Sequence, residues 1–227
     1  MKRIYIPTTD PEDWRKLLAS PEKGWKPCYS SWELAHCWED AKGFPASFHT
    51  LFAGAKNQDL QKLELLLAIP EYRVGMPGGG HASQNDLFVL AKTADGKQVC
   101  ITVEGKVNES FGPTVKAWLE EPTPGKEKRM EFLRERLGLV DDIPGDIRYQ
   151  LFHRTVSALV EAKRFNASYA MMIVHSFSPD KTGFKDYQAF LGLFGQSALA
   201  GSLVELPINN PIRLYLGWVS DKGTAPC

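Results

Sequence analysis

The stretch SQNDLFVLAKTADGKQVCITVEGKV, residues 83–107, constrains the fold more than any other part of this chain. It reads as two strands joined by a tight turn at Asp95-Gly96. In the second strand Val99, Ile101, Val103 and Val107 alternate with Cys100, Thr102, Glu104 and Lys106. Side chains two apart share a face of a strand, so Glu104 and Lys106 point one way and the valines and isoleucine the other. Asp86 opens the first strand, and the turn decides where it points. A two-residue Asp95-Gly96 loop is the commonest form and would set Asp86 diagonally from Glu104 on the opposite face. A three-residue loop, Ala94-Asp95-Gly96 with Gly96 left-handed and a bulge, would set Asp86 directly opposite Glu104. One residue of slip inverts a face. We expect the odd-length loop, because it brings two acids and a lysine to one point.

Such a point suits metal-dependent phosphodiester cleavage. Two carboxylates supply hard anionic oxygens for Mg2+ or Mn2+, which keeps waters and also takes phosphate oxygens. The cation polarises the phosphate and acidifies a bound water. A lysine two residues past the second acid can orient that water and stabilise developing charge. The same three residues also fit an exposed ion pair on a half-solvated strand, with Asp86 as a turn residue.

Asp86 followed by Glu104-x-Lys106 on the next strand resembles the PD-(D/E)XK, or restriction-endonuclease-like, nuclease motif. Asn85 stands where that motif has its proline. The resemblance implies that Asp86 and Glu104 bind metal and that Lys106 serves the attacking water. It also implies a further acid. Glu71, which leads into the glycine loop before the motif, is the first candidate, and Glu39 on an earlier helix is the second. Gln150-Leu151-x-x-Arg154 resembles the glutamine-bearing helix that follows E-x-K in some branches, so Gln150 and Arg154, with Gln84, would contact substrate. The implied fold is α/β, a central mixed β-sheet flanked by helices in a restriction-endonuclease-like core. The implied partner is nucleic acid, DNA ahead of RNA, with a homodimer compatible. As a whole the chain also resembles bacterial proteins of no established role.

The 227 residues carry 27 Lys plus Arg and 27 Asp plus Glu. A protein that grips duplex DNA unaided usually shows a basic surface, so zero net charge favours a local basic cleft or a nuclease-like module used for binding or assembly without cleavage. An unrelated α/β protein with a small-ligand pocket is a third reading. No apolar run reaches membrane-spanning length and no signal peptide is visible. Cys28, Cys37, Cys100 and Cys227 lack paired short spacings and read as free thiols in the cytoplasm.

In chain order, Arg3–Ile6 suggests a short strand, and Asp10-Pro11 opens a helix. Ser30-x-x-Glu33 fits a capping box at the start of the next. The leucine-rich segment 59–68 suggests a third helix, ended by Pro70. Gly75–His81 is a flexible approach loop without the Gly-Lys-Ser/Thr ending of a phosphate loop. Residues 126–137 form a charged helix whose Lys126, Lys128, Arg129, Arg134 and Arg136 interleave with Glu127, Glu131 and Glu135, suggesting ion pairs on a solvated face. The longest helix spans roughly 147–165, with a polar line of Gln150, Arg154, Ser157 and Glu161. Residues 168–178 read as a central strand buried on both faces, where His175 is a hydrogen-bonded core histidine. A helix at 182–195 and a strand at 212–219 complete one domain. Residues 1–75 make its helical N-terminal part and 76–220 the nuclease-like core.

Overall fold

The computed structural model describes residues 5–225. The chain folds as a six-stranded mixed sheet with helices on both faces. Four helices come first: α1 (Pro11–Arg15), α2 (Pro21–Gly24), α3 (Ser30–Ala41) and α4 (Ala46–Ala53). Strands β1 (Leu63–Val74), β2 (Ser83–Thr93) and β3 (Gln98–Lys106) form an antiparallel meander. Helices α5 (Val115–Trp118), α6 (Pro124–Leu137) and α7 (Tyr149–Arg164) then carry the chain to β4 (Tyr169–Ser176), parallel to β3. After α8 (Phe184–Gly192), β5 (Leu203–Leu206) and β6 (Arg213–Ser220) close the order β1-β2-β3-β4-β6-β5.

Alternation along β3 sorts the two cores. Val99, Ile101 and Val103 pack towards α3 and α4, and Cys100 packs towards α7. α7 buries Leu151, Phe152, Val156 and Leu159 on its side. Each such side chain contributes roughly 1.5–3 kcal/mol relative to exposure. β4 is buried along its whole length, as a parallel strand between two helical layers must be.

Several expectations are corrected. Segment 59–68 is not a helix: Gln58–Leu60 is one 3-10 turn, and the leucines that follow belong to β1. The sheet therefore begins inside the part read as helical. Two irregularities hide the strand's period of two. A register shift falls between Leu65 and Leu67, and Glu71 is left-handed at φ 53°. Ile69 and Tyr72, three apart, both pack on the α7 side, a parity that Glu71 inverts between them. β1 is an edge strand, which is where Pro70 is tolerated.

No capping box forms at α3. Glu33 is buried and accepts the backbone N–H of Cys28 (2.9 Å) and of Thr224 (2.6 Å), tying the C-terminal segment to the start of the helix. Cys37 and Cys100 are free, whereas Cys28 is disulfide-bonded, so the reading of four free thiols fails. Cys227 and Arg3–Ile4 lie outside the described residues, and Tyr5 and Ile6 are in no strand. Among the described residues, no helix is long and apolar enough to cross a membrane.

Gly105, the middle residue of Glu104-x-Lys106, is where α3 meets the sheet. A Cβ there would lie 2.9 Å from Leu34 Cγ, in a core with no free volume. Gly105→Ala is expected to cost about 1–3 kcal/mol by overpacking. Urea denaturation checks this, and an unchanged midpoint would contradict the close approach of α3.

Candidate functional site

The turn between β2 and β3 is the odd-length one. Thr93 N–H donates to Lys97 O (2.9 Å), leaving Ala94, Asp95 and Gly96 as a three-residue loop with Gly96 at φ 86°. Pairing from Lys92↔Gln98 runs to Leu87↔Val103 and stops. Asp86 and Glu104 are the next residues on the two strands. There the side chain of Asp86 replaces the ladder, its Oδ2 accepting the Gly105 N–H at 2.8 Å.

Glu104 is the buried hub. Its Oε1 accepts from Lys106 Nζ and from Gln150 Nε2, both at 2.7 Å. Its Oε2 accepts from Arg154 Nε. The same guanidinium brings Nη2 to 4.0 Å from Asp86 Oδ1 and Nη1 to 3.3 Å from Ser83 Oγ. The left-handed Glu71 accepts a short hydrogen bond from Gln84 Nε2. Asn85, where the motif has proline, is buried and donates to Tyr72 O (3.2 Å), stitching β2 to β1 beside the acids.

Three carboxyls thus face the cations Lys106 and Arg154. Burial and then repulsion from Glu104 hold the Asp86 carboxyl well above the usual carboxylate range. Burial, only partly opposed by the Gln84 bond and by Arg154, raises Glu71 to about 7. Burial would also raise Glu104, but Arg154 and Lys106 outweigh it and bring it down to about 2. The cluster is short of positive charge, and a divalent cation would supply it. The donors are hard carboxylate oxygens, as Mg2+ or Mn2+ requires. Glu104, however, has both oxygens engaged, so a cation would have to displace Arg154 or Gln150 from it. Asp86, Glu104 and Glu71 would be the residues to hold it.

The structure brings together Asp86, Glu104, Lys106, Glu71, Gln84, Gln150 and Arg154. Glu39 is elsewhere: it lies on α3, across the sheet, accepting from Thr8 Oγ1 and Trp14 Nε1, each at 2.7 Å. On the polar line of α7, Arg154, Ser157 and Glu161 are all buried. His153 was missed by the sequence reading. Its Nδ1 lies 2.8 Å from Ser83 Oγ, and burial with the neighbouring Arg154 lowers its pKa to about 3, so it is neutral. Its signal was its spacing, three residues from Gln150 and next to Arg154 on one helical face.

A cleft opens above the acids. Its cavity of about 730 Å³ is lined by Arg73, Gln84, Gln150, His153 and Arg154, of which Gln150 and Arg154 cover Glu104. The glycine loop forms one wall, but Gly78 serves α6 and not the acids. A Cβ on Gly78 would sit 2.8 Å from Arg129 Cβ, and Gly125 is equally close on the other side of the contact. Arg129 is buried and donates to the carbonyls of Met76 (3.2 Å), Pro77 (2.5 Å) and Gly79 (3.0 Å). The expected ion pairs along α6 do not form: none joins its cations to its own acids among the described residues.

One other group has ligand spacing. Cys37, His175 and Asp221 place candidate ligand atoms within 4.8 Å of one another, on the α3 side of the sheet. Its imidazole is set against a metal. Trp38 Nε1 donates to His175 Nδ1 (3.2 Å), so the proton sits on Nε2 and is donated to Asp221 Oδ2 (2.9 Å). Neither ring nitrogen then has a free lone pair to offer a cation. His175 is thus a satisfied core histidine.

The fold and cleft define an α/β protein with a buried acid–cation cluster at the open end of a hairpin. A family model described as "Domain of unknown function (DUF6946)" matches residues 7–223, and the chain belongs to that family. No curated protein and no solved structure matches it.

Two outcomes follow from the electrostatics. Arg154→Leu leaves Glu104 underpaired in the interior and is expected to cost about 3–5 kcal/mol, while Glu104→Gln with Arg154→Leu recovers part of that loss. A double-mutant denaturation cycle measures it, and additive costs would contradict the pairing. In metal-free protein, folded Glu71 holds its proton more tightly than the unfolded chain does. Its contribution is present at low pH and lost as pH rises from about 4.5 to about 7. Glu71→Gln is therefore expected to stabilise the protein by roughly 1–2 kcal/mol at pH 8 and by little at pH 4.5. A pH-independent difference in melting would contradict the assignment.

Proposed function

We propose that this chain is a Mg2+- or Mn2+-dependent nuclease with a restriction-endonuclease-like core, hydrolysing phosphodiester bonds of nucleic acid, DNA ahead of RNA. The observation that carries the reading is the convergence of Asp86, Glu104 and Lys106 where the β2–β3 ladder opens, with Glu71 beside them and a cation-lined cleft above. Bound by Asp86 and Glu104, the cation would polarise the scissile phosphate and acidify a water. Lys106 would orient that water and donate to the developing charge. Gln150 would position a phosphate oxygen once released from Glu104. Arg154 carries a planar fork suited to phosphate and would exchange Glu104 for substrate oxygens. A cytoplasmic setting and a homodimer are part of this proposal.

One observation favours a second reading. Both oxygens of Glu104 are already satisfied by protein donors, so this acid offers no free oxygen as it stands. A nuclease-like module that binds or assembles without cleaving would have such a site.

A cleavage assay with Mg2+ or Mn2+ separates the two. Glu104→Gln is expected to lower turnover by two orders of magnitude or more with the fold retained by circular dichroism. Full activity in that variant would end the nuclease assignment. Absence of both cleavage and metal binding in the unaltered chain would favour the module.

A further inference from the structure

Two arginines line the cleft above the acids, and they differ in what they already hold. Arg154 is committed: Nε donates to Glu104, Nη1 lies 3.3 Å from Ser83 Oγ, and Nη2 lies 4.0 Å from Asp86 Oδ1. Arg73 is exposed and gives only its Nε, which donates to Gln84 Oε1 at 3.1 Å. Among the described residues its two Nη groups have no hydrogen-bond partner, and no carboxylate forms an ion pair with it. Gln84 is its cross-strand partner on β2, and the amide is used at both ends, Oε1 by Arg73 and Nε2 by Glu71. The Arg73–Gln84 pair stands two residues from Glu71 on β1 and two from Asp86 on β2. No aspartate or glutamate lines the cleft itself.

We propose that Arg73 takes the substrate phosphate next to the scissile one, and that Gln84, a substrate contact by resemblance, is instead the positioning residue that holds the Arg73 guanidinium. The inference rests on the nuclease reading and adds a specificity-determining residue to it. With Nε held by Gln84, the two Nη groups remain as a charged fork that matches two phosphate oxygens. A side chain already held by a neighbour loses less freedom when it binds. Arg73 meets an incoming polyanion with its charge unpaired, whereas Arg154 must first give up Glu104. Nucleic acid carries a charge at every nucleotide, so a cation two residues along the strands from the acids meets a neighbouring phosphate and not the scissile one. Phosphate contacts set register and carry no base sequence, so Arg73 fixes where the backbone lies over the acids.

Equilibrium binding in EDTA, where no cleavage occurs, tests it with a short fluorescein-labelled DNA duplex and its single strand over a series of salt concentrations. Arg73→Gln is expected to weaken binding about tenfold and to lower the slope of log Kd against log salt by about 0.7–0.9, the loss of one phosphate contact. Arg73→Lys keeps the charge and is expected to keep the slope while losing affinity several-fold with the fork. Gln84→Ala releases the guanidinium without removing charge, and a loss of about two- to threefold at unchanged slope is expected. Arg73 is exposed, so its variants keep the fold. Unchanged affinity in Arg73→Gln, weaker binding at unchanged slope in that variant, or no binding of either DNA by the unaltered chain would overturn the proposal. The nuclease reading fails on a different result, full turnover in Glu104→Gln, so the two can fail separately.

Discussion

The loop of Ala94, Asp95 and Gly96 sets Thr93 opposite Lys97, and the direction of every side chain in the β2–β3 hairpin follows from that pairing. With it, the valines and isoleucine of β3 enter the α3 and α4 core, while Glu104 and Lys106 turn to α7. A shift of one residue would put a carboxylate and an ammonium into packed hydrocarbon, at a cost far above the stability of a domain. Register and site are therefore one constraint: the hydrophobic pattern that fixes the strand also delivers the acids to the open end of the hairpin.

Glu104 remains charged because α7 brings Arg154 onto it beside Lys106. A buried carboxylate without partners would take up a proton, and Glu104 escapes that through Arg154 and Lys106. Replacing such a buried network by hydrocarbon is often neutral or stabilising in proteins. Its retention here, together with a left-handed Glu71 beside it, concentrates polar and conformational cost at one place. Costs of that kind cluster at functional sites. The second face of the sheet shows the contrast. The His175, Asp221 and Trp38 chain is hydrogen-bonded throughout, and its tautomer leaves no lone pair towards a ligand.

Much of this was legible in the residues. Strict alternation exposed β3, the apolar run exposed β4, and Asp95-Gly96 exposed the turn. Asp10 capped its helix as read, accepting from Asp13 N–H. β1 was not legible, because a register shift and the left-handed Glu71 break its period and leucines with high helix propensity fill it. Glu33 was misread because its partners come from Cys28 and from Thr224, which is 191 residues away in sequence, and no local pattern announces the latter. Arg129 was assigned to a solvated face, whereas the glycine loop folds back and buries it. In the site, the residues on two neighbouring strands could be aligned by counting. The part played by His153 and Ser83 needed the docking of α7, which lies outside any local rule.

The claim on which the account turns is that the carboxylates of Asp86 and Glu104 hold a divalent cation between them. Anomalous scattering from crystals grown in Mn2+ measures this directly. The account predicts a peak within about 2.0–2.6 Å of an oxygen from each acid, with Arg154 or Gln150 drawn away from Glu104. A map with no peak there and the Arg154–Glu104 contact intact, or with its only peak at Cys37, His175 and Asp221, would contradict it.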